Sequence, residues 1–198
     1  MDKAISEFAM NNNIGGLEFL SCIPGTIGGG IRMNTGCFGR EIKDILISVQ
    51  VLDKSGKVRT IPSNEIKFEY RKCNLPNDFI FLSASFKGEY KEKAKIKQEI
   101  SYLKNKKEKS QPSKIKTGGS TFKNPIGASQ VKVWELIKKS VPENLSFGDA
   151  TISSKHSNFL VNKGNATYKD MKKLIDFIIE KVKAKTGIKI DLEIIFVE

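Results

Sequence analysis

Hydrophobic and polar residues alternate along two stretches in the first half of the chain. The stretch ILISVQVLD, residues 45–53, is followed by a Ser-Gly pair and by KVRTI, residues 57–61, which together predict a β-hairpin. FIFLSASF, residues 79–86, predicts a further strand, and the charged stretch 91–109 predicts a long exposed helix. These elements form one predicted unit that ends near residue 110.

Apolar residues at helical spacing dominate the second half. VKVWELIKKS, residues 131–140, predicts an amphipathic helix. NATYKDMKKLIDFIIEKVKAKTG predicts a longer helix that begins after Asn165 or Thr167 as its cap and ends at Gly187. Two strands are predicted around these helices, HSNFLVN and the terminal IKIDLEIIFVE. The second half is therefore expected to combine a sheet with two helices.

The first 40 residues are rich in glycine and end in IPGTIGGGIRMNTGCFG. This stretch predicts a loop and a short helix, either around a cofactor or at a tight packing point. Gln111 and Pro112 interrupt the long helix, so the domain boundary is predicted near residue 110. The sequence thus predicts an α+β protein with two units, 1–109 and 110–198.

The charge of the chain suggests one alternative function. The net charge of +12 is compatible with a non-catalytic basic module that binds nucleic acid or another anionic surface. The lysines are spread widely, however, and in the densest region glutamates are interleaved at helical spacing, which favours a solvated surface. We therefore expect neither a nucleic-acid partner nor, because no apolar stretch is long enough to span a bilayer, a membrane.

Residue types exclude several kinds of site. His156 is the one histidine, so no imidazole-based metal site is expected, and by itself this residue is most often structural. The glycine-rich stretch has neither the phosphate-loop lysine nor the GxGxxG spacing of a dinucleotide site. Cys22, Cys37 and Cys73 have no metal-type spacing and are expected to be reduced thiols in a cytoplasmic protein.

Five ordered segments carry a family resemblance: IPGTIGGGIRMNTGCFG, FEYRKCNL, GGSTFKNP, KHSNFLVNKGNAT and LEIIF. In this order and spacing they resemble the UDP-N-acetylenolpyruvoylglucosamine reductases, also called UDP-N-acetylmuramate dehydrogenases. The resemblance implies an FAD-dependent oxidoreductase of peptidoglycan precursor synthesis that uses NADPH to reduce the enolpyruvyl ether of a UDP-sugar. It also implies that residues 1–109 are the remainder of a two-lobed FAD-binding domain and residues 110–198 a smaller substrate-binding domain.

The resemblance implies three catalytic residues. Ser120 would donate a proton to the substrate carbon, Arg71 would hold and polarise the substrate carboxylate, and Glu193 would hydrogen-bond the enediolate. From the residues alone, the favoured interpretation of Ser120 is a turn serine that satisfies its own backbone, and Arg71 and Glu193 are ordinary surface charges.

Further contacts are implied in the same way. Tyr70, Lys123 and Asn124 would bind the substrate, with Lys123 facing its diphosphate. The residues expected to contact FAD are Ile23, Pro24, Gly25, Thr26, Gly28, Gly29, Asn34 and Gly36. Members of the family carry a further amino-terminal flavin-binding segment, so this chain is expected to retain FAD weakly and to be inactive alone. A separate chain that carries this segment is one candidate partner.

Overall fold

A computed structural model describes residues 1–113, 115–125 and 131–197, which form two compact units, Met1–Lys107 and Glu108–Glu198. None of the helices in these ranges is both long enough and apolar enough to cross a membrane. The chain combines helices with short antiparallel sheets, so the predicted α+β class is confirmed.

The first unit contains three helices and nine short strands. The helices are α1 (Asp2–Asn11), α2 (Ile27–Arg32) and α3 (Lys93–Ser110), the last of which runs past the end of the unit. The strands are β1 (Ile14–Gly15), β2 (Gly36–Cys37), β3 (Arg40–Glu41), β4 (Leu46–Leu52), β5 (Val58–Pro62), β6 (Phe68–Glu69), β7 (Lys72–Cys73), β8 (Ile80–Phe86) and β9 (Glu89–Tyr90). Short 3₁₀ helices occupy Glu18–Cys22, Ile42–Asp44 and Ser63–Glu65.

A three-stranded antiparallel sheet in the order β5-β4-β8 is the centre of this unit. The predicted hairpin is confirmed by the pairing of β4 with β5, and the predicted third strand pairs on the other side of β4. Val49 and Val51 of β4 are fully buried, as the alternation in the sequence requires. Two-stranded pairs β1-β9, β2-β3 and β6-β7 surround the sheet.

The second unit is built on an antiparallel sheet with two helices. Its strands are β10 (Thr117–Ser120), β11 (Ser146–Phe147), β12 (Ala150–Ile152) and β13 (Phe159–Asn162), in the order β10-β13-β12-β11. The helices are α4 (Val133–Ser140) and α5 (Tyr168–Thr186). Their apolar faces share one core with the sheet, in which Leu174 and Ile178 of α5 are completely buried.

The ends of α5 follow from its own sequence. Thr167 and Asp170 form a reciprocal capping box, in which the Thr167 Oγ1 accepts from the Asp170 N–H at 3.2 Å and the Asp170 Oδ2 accepts from the Thr167 N–H at 2.9 Å. Gly187 ends the helix with φ of +71°, a conformation that favours glycine. Both predicted ends of α5 are therefore confirmed.

Several elements differ from the sequence prediction. The short strands β11 and β12 were not predicted. Helix α1 was not predicted either, because two of its three buried residues, Asp2 and Ser6, are polar. The predicted terminal strand is wrong for the described residues 188–197, where one isolated bridge joins Leu192 to Phe122. The stretch fails to form a strand because, among the described residues, only 191–194 bond to a neighbouring segment, while Ile195 and Val197 are left exposed.

Candidate functional site

In the first unit, Tyr70 and Arg71 form the turn of the β6-β7 hairpin. Arg71 has a positive φ of +56°, which is uncommon for a residue with a side chain. Its guanidinium lies 4.9 Å from the centre of the Tyr70 ring, and its Nη2 donates to the Gly36 carbonyl at 3.5 Å. The structure therefore brings the predicted carboxylate-binding turn next to the end of the predicted flavin segment.

Asn34 supports this turn through hydrogen bonds of its side chain. Its side chain is completely buried, and its Nδ2 donates to the Glu69 carbonyl at 3.1 Å and to the Glu41 carboxylate at 3.0 Å. Its Oδ1 accepts from the Lys43 N–H at 3.1 Å. Although the sequence predicts a cofactor contact for Asn34, its side chain is used by the protein itself, where it fixes the strand that leads into Arg71.

The glycine-rich segment places several predicted cofactor-binding residues at the surface. Pro24, Thr26 and Gly29 are exposed, and the Thr26 Oγ1 accepts from the Gly29 N–H at 3.2 Å, which begins α2. Ile23, Gly25, Gly28 and Gly36 are half-buried. Thr26 is therefore the cap of a short helix as well as a candidate ligand contact.

An apolar groove of about 210 Å³ lies beside this helix. Gly28 forms part of its wall, and a side chain at that position would come within 3.3 Å of the Phe81 Cβ. The other residues that line the groove are Ile5, Ile27, Ile31, Leu82, Ser83, Ala84 and Phe86. The groove is smaller than the roughly 300–1,000 Å³ of usual ligand pockets, so it can hold part of a large cofactor.

Arg32, which the sequence analysis did not single out, connects α2 to the loop before β8. Its guanidinium donates to the carbonyls of Leu75 at 2.6 Å, Pro76 at 2.8 Å and Phe79 at 3.5 Å. It also lies 4.9 Å from the centre of the Phe81 ring. A planar group with five donors is well suited to such a loop, but nothing in the sequence indicates which carbonyls it meets.

Two free thiols lie next to the Gly36–Arg71 contact. The Cys37 thiol donates a hydrogen bond to the Cys22 sulfur, and this bond lowers the pKa of Cys22 to about 6 although burial opposes the change. The same bond, together with burial, raises the pKa of Cys37. The hydrogen bond thus shifts the two thiol pKa values in opposite directions.

In the second unit, Ser120 is the last residue of β10, where it pairs with Phe159 of β13. Gly119 precedes it with φ of +87°, and the register of the pair shifts between Thr117 and Ser120. This irregular glycine turn sets the position of the half-buried serine.

The backbone after Ser120 joins the carboxyl-terminal stretch that carries Glu193. The Glu193 N–H donates to the Thr121 carbonyl at 2.8 Å, and the Lys123 N–H donates to the Asp191 carbonyl at 2.8 Å. Residues 121–123 and 191–193 therefore lie side by side within one unit, so the segments that carry Ser120, Lys123 and Glu193 are neighbours. Glu193 is half-buried rather than exposed.

Asn124 lies at the end of the same segment, and its side chain caps the start of α4. Its Oδ1 accepts from the Val133 N–H at 3.1 Å, which satisfies one of the free amides at the start of that helix. The side chain predicted to bind substrate thus also fixes the position of α4 relative to the Ser120 segment.

A cavity of about 340 Å³ opens where α4 meets the loop between β12 and β13. His156 lies in its wall, 6.0 Å from the Trp134 ring and 4.9 Å from the Phe159 ring, measured between ring centres. Burial lowers the pKa of His156, so the ring is neutral at pH 7. Lys138 and Lys155 also line the cavity. The predicted structural role of His156 and a role in ligand binding are both compatible with this position.

Asn158 is the second residue that sequence reasoning missed. Its side chain is buried, and it hydrogen-bonds to both the N–H and the carbonyl of Phe122. Within residues 1–113, 115–125 and 131–197, no group of three or more His, Cys, Asp or Glu side chains could hold a metal ion.

Comparison with known proteins accounts for nearly the whole chain. Residues 111–197 match the family described as UDP-N-acetylenolpyruvoylglucosamine reductase, C-terminal domain, and residues 2–62 match the family described as FAD binding domain. The UDP-N-acetylenolpyruvoylglucosamine reductase of Pelagibacter ubique is 59% identical over 194 residues, and that of Novosphingobium aromaticivorans is 43% identical over 190 residues. These matches cover 98% and 96% of this chain but 64% and 63% of the relatives.

A solved structure agrees with this result. The crystal structure of UDP-N-acetylenolpyruvylglucosamine reductase from Thermus caldophilus superposes with a TM-score of 0.82 at 31% identity, over 97% of this chain and 68% of that chain. The architecture, the two family matches and the relatives all agree with the resemblance found in the sequence. The chain belongs to the UDP-N-acetylenolpyruvoylglucosamine reductase family.

Proposed function

We propose that this protein takes part in the FAD-dependent, NADPH-using reduction of UDP-N-acetylenolpyruvoylglucosamine to UDP-N-acetylmuramate, a step of peptidoglycan precursor synthesis. The observation that carries the proposal is the pairing of residues 121–123 with residues 191–193, which makes the segments that carry Ser120, Lys123 and Glu193 neighbours. The names of the relatives and the match of residues 2–62 to an FAD binding domain support it.

The chemistry of the reduction explains why a cation and acids are needed. Hydride added to the terminal carbon of the vinyl ether leaves negative charge on the carbon next to the carboxylate. We propose that Arg71 holds this carboxylate, because a planar guanidinium can donate two parallel hydrogen bonds to it. Tyr70, stacked near the guanidinium, limits the directions in which Arg71 can point.

Protonation of the same carbon completes the reduction. We propose Ser120 as the donor of this proton and Glu193 as the group that hydrogen-bonds the enediolate. A serine hydroxyl is a weak acid in water, so it needs neighbours that stabilise its conjugate base. The backbone of Lys123 is held by its hydrogen bond to the Asp191 carbonyl, and we propose that its side chain meets the substrate diphosphate.

FAD, when bound, would supply the hydride that it receives from NADPH. The apolar groove fits the edge of a flat aromatic ring, because Gly28 leaves its wall open and no charged side chain lines it. Exposed Pro24, Thr26 and Gly29 would lie beside the cofactor. Because the groove is only about 210 Å³, we expect the 198-residue chain by itself to retain FAD weakly.

The cavity of the second unit supports binding of the nucleotide part of the substrate. Trp134 and neutral His156 offer apolar ring surfaces, and Lys138 and Lys155 offer positive charge. The cavity begins at the loop that precedes Phe159, the strand partner of Ser120. We accordingly propose that residues 110–198 form the substrate-binding domain and residues 1–109 part of the FAD-binding domain, in a protein that works in the cytoplasm.

A chimera provides the test of activity. The part of the Pelagibacter ubique relative that this chain does not cover is joined to this chain, and NADPH oxidation is measured with UDP-N-acetylenolpyruvoylglucosamine. We expect substrate-dependent turnover, with one NADPH consumed for each UDP-N-acetylmuramate formed. A folded chimera that binds FAD but reduces no enolpyruvyl ether would contradict the proposal.

Binding to the 198-residue chain is tested separately. Calorimetric titration with UDP-N-acetylglucosamine should show saturable binding that Trp134→Ala weakens about tenfold or more. Tyr102→Ala, which removes an exposed aromatic residue from α3 in the other unit, is the matched control. Equal affinities of the two variants would remove the cavity from the proposed site.

A further inference from the structure

Asn158 makes a pair of hydrogen bonds that no other buried side chain of the second unit makes among the described residues. Its Nδ2 donates to the Phe122 carbonyl at 2.9 Å, and its Oδ1 accepts from the Phe122 N–H at 2.9 Å. The side chain is 4% exposed, so these bonds are protected from water. In addition, the Asn158 carbonyl accepts from the Thr121 N–H at 2.8 Å.

The position of this contact is where the sheet ends. Ser120 and Phe159 pair at the end of β10 and the start of β13. The chain turns just before Phe159, at His156, whose carbonyl accepts from the Phe159 N–H at 2.9 Å. On this edge, no described strand residue of β13 lies opposite Phe122. The amide of Asn158, which has both a donor and an acceptor, takes the place of that missing backbone.

The opposite edge of the same segment carries Glu193. Residues 121–123 pair there with residues 191–193, through the Glu193 to Thr121 bond and the Lys123 to Asp191 bond. Phe122, fixed by Asn158 on one edge, is bridged to Leu192 on the other. A shift of Phe122 would therefore move Ser120 and Glu193 together.

We infer that Asn158 is a positioning residue, which fixes the positions of Ser120 and Glu193 in the candidate site through its paired hydrogen bonds to Phe122. It touches neither reacting group. The catalytic part of this inference rests on the proposed function, whereas the mechanical part rests on the contacts alone.

Asn162 is a matched control on the same strand. Its Oδ1 accepts from the N–H groups of Gly164 at 2.8 Å and Ala166 at 3.0 Å, so it also holds backbone with its amide, but at the other end of β13. Changing either asparagine to aspartate keeps the size and removes the donor. Only the change at Asn158 should reach the candidate site.

Amide hydrogen exchange in the 198-residue chain tests the mechanical part without cofactor or substrate. In Asn158→Asp we expect exchange of the Phe122 and Glu193 amides to accelerate about tenfold or more, while the buried amides of Leu174 and Ile175 in α5 keep their rates. Asn162→Asp keeps an oxygen that accepts from Gly164 and Ala166, so it should leave those two amides, and those of Phe122 and Glu193, at about their parent exchange rates. An unchanged Glu193 amide in Asn158→Asp would overturn the inference, since Asn158 does not contact that residue directly.

The catalytic part is tested in the chimera. Asn158→Asp should slow reduction of the enolpyruvyl ether about tenfold or more and leave reduction of FAD by NADPH unchanged, whereas Asn162→Asp should change neither. Equal slowing of both half-reactions would mean a general folding defect and would overturn the role in positioning. If Asn158→Asp does not fold, Asn158→Ser, which adds no charge, is measured in its place.

The two proposals fail in different ways. If the unsubstituted chimera has no activity and the chain does not bind UDP-N-acetylglucosamine, the proposed function is wrong, and the exchange rates still decide whether Asn158 holds Phe122 and Glu193. If activity is present and Asn158→Asp is fully active, the positioning role alone is wrong.

Discussion

The two units place their candidate catalytic residues by different means. In the first unit, Arg71 itself has a positive φ of +56°, and the buried Asn34 that supports it has φ of +40°. In the second unit, the positive φ before Ser120 is at a glycine, Gly119. Among the described residues, every non-glycine residue with positive φ belongs to the first unit. The first unit therefore depends on tertiary contacts that hold unfavourable backbone, and the second on local sequence.

The largest expected effect lies in the second unit, at Ser120. In the active chimera, Ser120→Ala should slow reduction of the enolpyruvyl ether by about 10²–10⁴-fold, the range for loss of a positioned acid, and leave flavin reduction by NADPH intact. Stopped-flow measurement of each half-reaction separates the two. Ser146→Ala, in β11, is the control. Loss of both half-reactions in Ser120→Ala would assign Ser120 a structural role instead.

A smaller effect is expected at Arg71 in the first unit. Arg71→Lys keeps the charge and loses the planar pair of donors, so kcat/KM of the chimera should fall about 10- to 100-fold. Arg59→Lys, which keeps the charge of an exposed side chain paired with Asp53, should have little effect on kcat/KM. Wild-type kinetics in Arg71→Lys would remove Arg71 from the proposed carboxylate contact.

Asp2 offers a test of stability in the first unit that depends on pH. Its carboxyl is completely buried, and neither oxygen has a hydrogen-bond partner among the described residues. Burial raises the pKa of Asp2, although the Met1 amino group opposes the change. The folded state therefore holds this proton more tightly than the unfolded state, and stability is lost as the pH rises from the unfolded pKa of about 3.9 through the folded pKa.

Asp2→Asn removes that loss. Compared with the unsubstituted chain, the variant should have a free energy of unfolding about 1 kcal/mol or more higher at pH 7 and a similar value at pH 3, as measured by calorimetry. The exposed Asp78→Asn is the control. The difference in free energy of unfolding between Asp2→Asn and the parent should be larger at pH 7 than at pH 3. Equal differences at the two pH values would show that the Asp2 carboxyl has hydrogen-bond partners in solution.

The smallest expected effects sharpen the comparison of backbone strain. Arg71→Gly should raise the free energy of unfolding of the first unit by up to about 1 kcal/mol, because glycine tolerates positive φ. Gly119→Ala should lower the free energy of unfolding of the second unit by about 1–2 kcal/mol, because alanine is strained at positive φ. Among the described residues, no atom lies within 4 Å of the new methyl group, so backbone strain alone causes the loss.

Each unit has its own probe for these measurements. The one tryptophan, Trp134, reports unfolding of the second unit by fluorescence, and the three cysteines, all in the first unit, report its unfolding by thiol labelling in urea. Opposite signs for the two variants are expected. A destabilised Arg71→Gly would mean that the contacts of the arginine contribute more than its strain costs.

The sequence predicted elements that depend on neighbours along the chain. The ends of α5 followed from Thr167 and Gly187, and the β4-β5 hairpin followed from the alternation of apolar residues. The absence of a strand from the described carboxyl-terminal stretch did not, because a strand needs a partner and, among the described residues there, only 191–194 have one. Local pattern carries no information on that partner.

The candidate site shows the same division. Family resemblance named Ser120 and Glu193, and the structure shows that backbone pairing brings their segments together. Asn158 and Arg32 escaped notice because both act on backbone groups distant in sequence, through amide or guanidinium geometry that no periodicity reveals. Asn34 stays a predicted cofactor contact, and its side chain also hydrogen-bonds to Glu41, Lys43 and Glu69, which the resemblance did not indicate.

Gly36 has a consequence for how sequences of this family can diverge. A Cβ at this position would lie 2.4 Å from the Arg40 carbonyl oxygen, so the hairpin of β2 and β3 closes only over a glycine. Exposed Pro24 meets no such restriction, whereas Thr26 still caps α2. In a lineage that had lost its flavin, drift would reach Pro24 first, while Gly36 would persist for as long as the hairpin folds.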